Sequence, residues 1–186
     1  MVVLVSGPPG SGKTTLAKIL AGRLGFVHLG RDQVKTAIAI TEAVRDSRGT
    51  PILDDVRAGM GGEFGQRAFG ATYQAAAVLL EHGASVIIDH AWRQGLSEPG
   101  LRPLLEGHRA AAVHTTVSPE TARRRHIERG ERRGLATVQQ VNDEIANWGQ
   151  FDRLDLATPT LEVVTEEGYE PNVDRIEAWI WRVTAV

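Results

Sequence analysis

Eight residues near the start, Gly7-Pro8-Pro9-Gly10-Ser11-Gly12-Lys13-Thr14, constrain this chain more than any others. They follow an apolar run, Val2–Val5, and precede Leu16, Ile19, Leu20 and Leu24, which recur at helical spacing up to Gly25. The expected unit is strand, glycine loop, helix. Glycines allow successive backbone amides to turn inward, and the start of a helix adds partial positive charge, so such a loop is built to cradle an anion. The pattern G-x-x-x-x-G-K-[S/T] is matched in full, and it makes Gly7, Pro8, Pro9, Gly10, Ser11, Gly12, Lys13, Thr14 and Thr15 the candidate nucleotide-binding residues. Lys13 is expected to reach the β- and γ-phosphates of ATP, the Thr14 hydroxyl to ligate Mg²⁺, and Thr15 to add a hydroxyl contact to the α-phosphate. A bare glycine turn with a solvated lysine would satisfy the same pattern, but it would not require the strand before it and the helix after it.

Apolar runs and helical periods alternate along the rest of the 186 residues, which predicts a parallel sheet with helices on both faces. Expected strands are Val2–Val5, Phe26–Leu29, Ser85–Asp89, Ala110–Val117 and Leu161–Val164. A helix is expected after Gly30-Arg31-Asp32 with Val34, Ala37, Ile38 and Thr41 facing inward. Others are expected from Phe64 to His82, from Pro119 onward, through Val138, Val141, Ile145 and Trp148, and at the end through Ile176, Trp179, Ile180 and Val183. Between them, 46–65 carries Gly49, Pro51, Gly59, Gly61, Gly62 and Gly65 and reads as a long loop or a partly helical excursion that shapes an acceptor site. The whole chain is thus expected to be one α/β domain of three layers, doubly wound around about five parallel strands.

Composition narrows the function classes. There is no cysteine, which excludes disulfides, thiolate zinc sites and cysteine nucleophiles. The net charge of −2 does not mark a general nucleic-acid or membrane-surface binder. The start of the chain shows no basic region or cleavage site, so the expected location is cytoplasmic. Only Lys13, Lys18 and Lys35 are lysines, the remaining basic residues being arginine.

Ligands of doubly wound sheets gather at the carboxyl ends of the strands. Asp32 lies just beyond the second strand and Asp89 ends the third, so both would face the γ-phosphate if both strands neighbour the first. Asp32 is placed to accept the proton of an attacking hydroxyl; its alternative role is to cap a helix starting at Gln33. Asp89 closes the apolar run Val86-Ile87-Ile88 and is the second candidate Mg²⁺ ligand after Thr14. From Ser118 to Arg133 there are six arginines, and Arg125, Arg129 and Arg132 are candidates to close as a short lid, about 119–135, over the charge that spreads during phosphoryl transfer. Solvated Arg–Glu pairs are the alternative for members such as Arg123. His90 and His126 show no metal-ligand spacing and read as surface groups or groups behind the site. Trp92 and Phe64 read first as packed aromatics.

The loop is the P-loop of nucleoside triphosphatases and kinases, and the wider pattern resembles the chloramphenicol phosphotransferase-like family of small P-loop kinases. The resemblance rests on the P-loop, Asp32 after the second strand, Gly-x-Glu-Phe at Gly61–Phe64, Val86-Ile87-Ile88-Asp89, and Arg125-x-x-x-Arg129-Gly130-Glu131-Arg132. It implies an ATP-dependent phosphotransferase with Asp32 as catalytic base and a small-molecule hydroxyl, often on an antibiotic, as acceptor. Gly30-Arg31-Asp32 is also similar to polynucleotide 5′-hydroxyl kinases and more distantly to zeta-toxin-like sugar-nucleotide kinases. A regulatory protein that binds ATP without transferring its phosphate is the non-enzyme alternative. Two departures stand out: His90 where a second acid commonly follows Asp89, and Pro8-Pro9 where smaller or more polar residues are usual. Neither ATP-over-GTP preference nor oligomeric state is legible in these residues.

Overall fold

The computed structural model describes residues 1–42, 62–133 and 148–185. Five strands form one wholly parallel sheet: β1 (Val2–Ser6), β2 (Val27–Gly30), β3 (Val86–Asp89), β4 (Ala110–Thr116) and β5 (Thr160–Val164), in the order β2-β3-β1-β4-β5. Six α-helices accompany them among the described residues: α1 (Lys13–Leu24), α2 (Arg31–Glu42), α3 (Gly62–Glu81), α4 (Glu98–Leu105), α5 (Pro119–Arg133) and α6 (Val173–Thr184). None of the helices among the described residues is long and apolar enough to cross a membrane.

Parallel strands require crossovers, and crossovers put helices on both faces, so the central strands must be apolar on both sides. β1 meets this demand with Val2, Val3, Leu4 and Val5, all fully buried. On one face Val2, Leu4, Val86 and Ile88 pack with Ala76 and Leu80 of α3, Leu101 and Leu104 of α4, and Trp92. On the other, Val3, Val5, Ile87 and Val113 pack with Leu16 and Leu20 of α1 and Ile176 and Ile180 of α6. This is the expected three-layer, doubly wound architecture. Trp92, 1% exposed, is the packed aromatic expected of it.

The structure corrects several expectations. Of the two acid-bearing strands only β3 neighbours β1; β2 lies on the far side of β3. The register nonetheless levels their ends, since Asp89 pairs with Val5 on one side and with Gly30 on the other. α3 opens at Gly62, inside the expected loop, and Trp148 begins a short 3-10 turn (Trp148–Phe151) rather than closing an α-helix. The rest of that loop, and the helix expected through Val138, Val141 and Ile145, lie outside the described residues. α4 was not expected, because Pro99, Gly100 and Pro103 mask the spacing of Leu101 and Leu104. Prolines near a helix start remove donors that have no intrahelical partner there. On α2, Ala37 and Thr41 are exposed, whereas Arg31, Val34, Lys35, Ile38 and Ala39 turn toward the body of the protein. Two cations therefore occupy the face that apolar residues alone were expected to define.

His114 on β4 is buried, with Nδ1 2.9 Å from Ser6 Oγ. Burial pushes its pKa below the usual 6.5. The unfolded chain then takes up the proton first, so this residue's contribution to stability is complete above about pH 6.5 and is lost as pH falls toward the lower folded value. Urea denaturation between pH 7.5 and 5.5 is expected to show a steeper loss for the wild type than for His114→Asn.

Candidate active site

The P-loop leaves β1 at Ser6 and enters α1 at Lys13. Gly10 has φ +81, and a Cβ there would lie 2.6 Å from the carbonyl oxygen of Ala122 on α5, so both torsion and space require glycine. Polar contacts hold the loop from behind. The Thr115 hydroxyl donates to the Ser6 carbonyl at 2.9 Å, which leaves its oxygen to accept from Ser11 Oγ at 2.6 Å. Thr165, following β5, donates to the Ser11 carbonyl at 3.0 Å. Ser11, Thr115 and Thr165 are all buried. Lys13 Nζ donates to the Pro8 carbonyl at 3.1 Å, folding the lysine back over the loop it belongs to. Pro8 is buried and Thr15 is exposed.

Thr14 and Asp89 meet. The Thr14 hydroxyl donates to Asp89 Oδ2 at 2.5 Å, while Asp89 Oδ1 lies 2.6 Å from His28 Nε2. The Asp89 carboxylate is only 5% exposed, so each of its oxygens needs a donor, and each has one. His28 comes from β2 and was not singled out in the sequence; its only signal is its place two residues before the strand's end, beside the register partner of Asp89. A hydroxyl beside a carboxylate suits Mg²⁺, which takes oxygen ligands. Among the described residues no cluster of three or more His, Asp or Glu side chains is poised for a metal. An ion held by Thr14 and Asp89 would thus complete its shell with phosphate oxygens and water.

Asp32 stands at the second position of α2, which begins at Arg31 straight out of β2. It makes none of the capping bonds foreseen for a helix starting at Gln33. Its side chain is 90% exposed, and its one ion-pair partner among the described residues is Arg31, with Nη1 to Oδ1 at 3.4 Å. Because Gly30 is level with Asp89, the Asp32 carboxylate emerges at the same end of the sheet as Thr14 and Asp89.

Arg125 is committed elsewhere in this conformation. Nη2 donates to the carbonyls of Thr165 at 2.6 Å and Glu166 at 2.8 Å, tying α5 to the segment whose Thr165 supports the loop. Glu166 in turn accepts from the Ser118 amide, which holds its carboxyl below the usual carboxylate range. The side chains of Arg129, Arg132, His126 and Phe64 lie outside the described residues. His90 is not a surface group: its ring stands edge-on to Phe69 at 4.6 Å and to Trp92 at 5.9 Å. Burial, then the charges of Arg31 and Lys13, lower its pKa well below 6.5, which keeps the imidazole neutral. Trp92 Nε1 donates to Tyr73 Oη at 3.0 Å, and burial pushes the Tyr73 phenol up to about 12.

Residues 2–150 match a family described as an AAA domain. The chain belongs to the AAA_33 family. A protein of Thermococcus onnurineus (strain NA1), provisionally named adenylate kinase, is 41% identical over 46 residues, which are 25% of this chain and 26% of that one. The curated relatives are therefore matched over about a quarter of their length or less. Solved structures align over nearly the whole chain. A protein of Chloroflexus aurantiacus j-10-fl, provisionally called a kinase, superimposes with a TM-score of 0.75 at 22% identity, covering 97% of this chain and 93% of that one. A gluconokinase from Sinorhizobium meliloti 1021 gives 0.63 at 18% identity, covering 98% and 93%. The fold of this AAA_33 chain is that of small P-loop kinases.

The pairing of His28 with Asp89 generates a prediction. His28→Phe removes the donor to Oδ1 and frees the carboxylate to rotate. It is expected to raise the Mg²⁺ concentration for half-maximal binding of an ATP analogue about 10- to 100-fold, read by calorimetric titration, with His28→Gln retaining part of the effect.

Proposed function

We propose that this AAA_33 chain is an ATP- and Mg²⁺-dependent kinase that moves the γ-phosphoryl group to a hydroxyl of a small molecule. The observation that carries the reading is the placement of an exposed carboxylate, Asp32, at the same end of the sheet as the P-loop and the Thr14–Asp89 pair. A nucleotide-binding protein without an acceptor has no use for that acid. The resemblance to chloramphenicol phosphotransferase-like kinases supports an acceptor of small size, and the net charge of −2 gives no track for a polynucleotide.

The chemistry follows from the residues. Loop amides and Lys13 hold the triphosphate, and Lys13 exchanges its bond to the Pro8 carbonyl for phosphate oxygens. Mg²⁺, held by Thr14 and Asp89, would neutralise charge on those oxygens. Asp32 accepts the hydroxyl proton as the new O–P bond forms and the bond to the β-phosphate oxygen breaks, releasing ADP. Arg129 and Arg132 are assigned to the transferring group, and Arg125 to anchoring α5 beside the loop. The buried hydroxyl network behind the loop keeps the amides in place, so little reorganisation accompanies the transfer.

A screen for ADP release, with γ-labelled ATP and hydroxyl-bearing antibiotics, sugars, nucleosides, hydroxy acids and phosphorylated alcohols, tests the reading; no labelled product with any alcohol would overturn it. Asp32→Asn is expected to lower kcat by about 10²- to 10⁴-fold while ATP still binds. Lys13→Ala is expected to weaken nucleotide binding and turnover together, and retention of both would remove the cradle assignment.

A further inference from the structure

The inward face of α2 carries two cations one turn apart, Arg31 and Lys35, where like charges repel. Neither is balanced by a buried acid among the described residues. Among the described residues no carboxylate pairs with Lys35, and the one acidic contact of Arg31 is the 3.4 Å approach to the exposed Asp32. The Arg31 side chain is nonetheless only 15% exposed. Its guanidinium carbon lies over the Phe69 ring, 4.8 Å from the centre, a cation–π contact. It also lies close against α3, where a Cβ on residue 65 would stand 2.9 Å from Nη2. Meanwhile Nε of Arg31 is buried without a hydrogen-bond partner among the described residues. A guanidinium placed over an aromatic ring and left with an unsatisfied N–H is a donor set awaiting an acceptor, since a buried unpaired donor is costly.

We propose that Arg31 and Lys35 bind an anionic group of the acceptor, a carboxylate or a phosphate, so that the substrate is a hydroxy acid or a phosphorylated alcohol rather than a neutral alcohol. The proposal rests on the kinase reading. Arg31 adjoins Asp32 in sequence, so an anion seated on the cations delivers a hydroxyl of the same molecule toward the acid. The planar fork of Arg31 supplies orientation and Lys35 adds charge.

The test uses the full-length protein loaded with Mg²⁺ and a non-hydrolysable ATP analogue, so that the P-loop is filled and cannot take the probe. Inorganic phosphate or acetate is then titrated at low ionic strength while Tm is followed. The expected result is a saturable rise in Tm with at least one anion. Response to phosphate alone identifies a phosphorylated alcohol, and response to acetate a carboxylate. R31Q and K35Q are each expected to weaken the apparent affinity about tenfold, with R31K keeping part of it, since a single charge-assisted hydrogen bond is worth about that much. No saturable rise with either anion, or an undiminished rise in R31Q, would overturn the proposal. Analogue binding is measured in the same samples and reports on the kinase reading separately. A protein that binds the analogue yet ignores both anions keeps that reading and loses this one.

Discussion

The parallel register of β1, β3 and β2 governs the arrangement of everything at the site. Val5, Asp89 and Gly30 lie level across three adjacent strands, so the chain leaves all three at one height. From that line the P-loop turns into α1, Asp89 reaches Thr14 and His28, and Arg31 and Asp32 open α2. A slip of one residue in any pair would send the end residue's side chain to the opposite face of the sheet. The slip is resisted by burial on both faces: β1 and β3 expose no apolar side chain, so no alternative register is cheap.

Behind this line, the far half of the sheet works as a support. β4 contributes Thr115 and the chain after β5 contributes Thr165, and together they satisfy the Ser6 and Ser11 carbonyls that a tight glycine loop leaves unpaired. Arg125 then fastens α5 to the carbonyls beyond Thr165. Each contact is modest alone, yet each satisfies a buried group that would be costly unpaired, so the loop is held from several directions at once. The near half, β2, α2 and α3, presents cations and aromatic rings instead.

Much of this was legible in the chain. Five runs became five strands within a residue or two, most plainly β1 and β3, because a strand buried on both faces must be apolar throughout and so stands out. The P-loop residues were legible for a different reason: a torsion that only glycine adopts cheaply, together with one lysine and one hydroxyl at fixed offsets, leaves few other sequences able to do the task. Asp89 was legible as an acid ending an apolar strand. α4 was obscured by its prolines, and the inward face of α2 was misjudged because Arg31 and Lys35 share it with Val34 and Ile38.

The sequence by itself determined the architecture and the phosphate cradle, since both depend on local torsions and on periodicities of two and 3.6 residues that the chain carries in its own order. Only the tertiary structure decided that β2 sits beyond β3, that His28 steadies Asp89, and that Arg31 lies over Phe69 and close to Gly65. Those facts join residues tens of positions apart. They depend on which strand lies beside which and on how far one helix is rotated against another, and neither is written in the spacing of residues along a single segment.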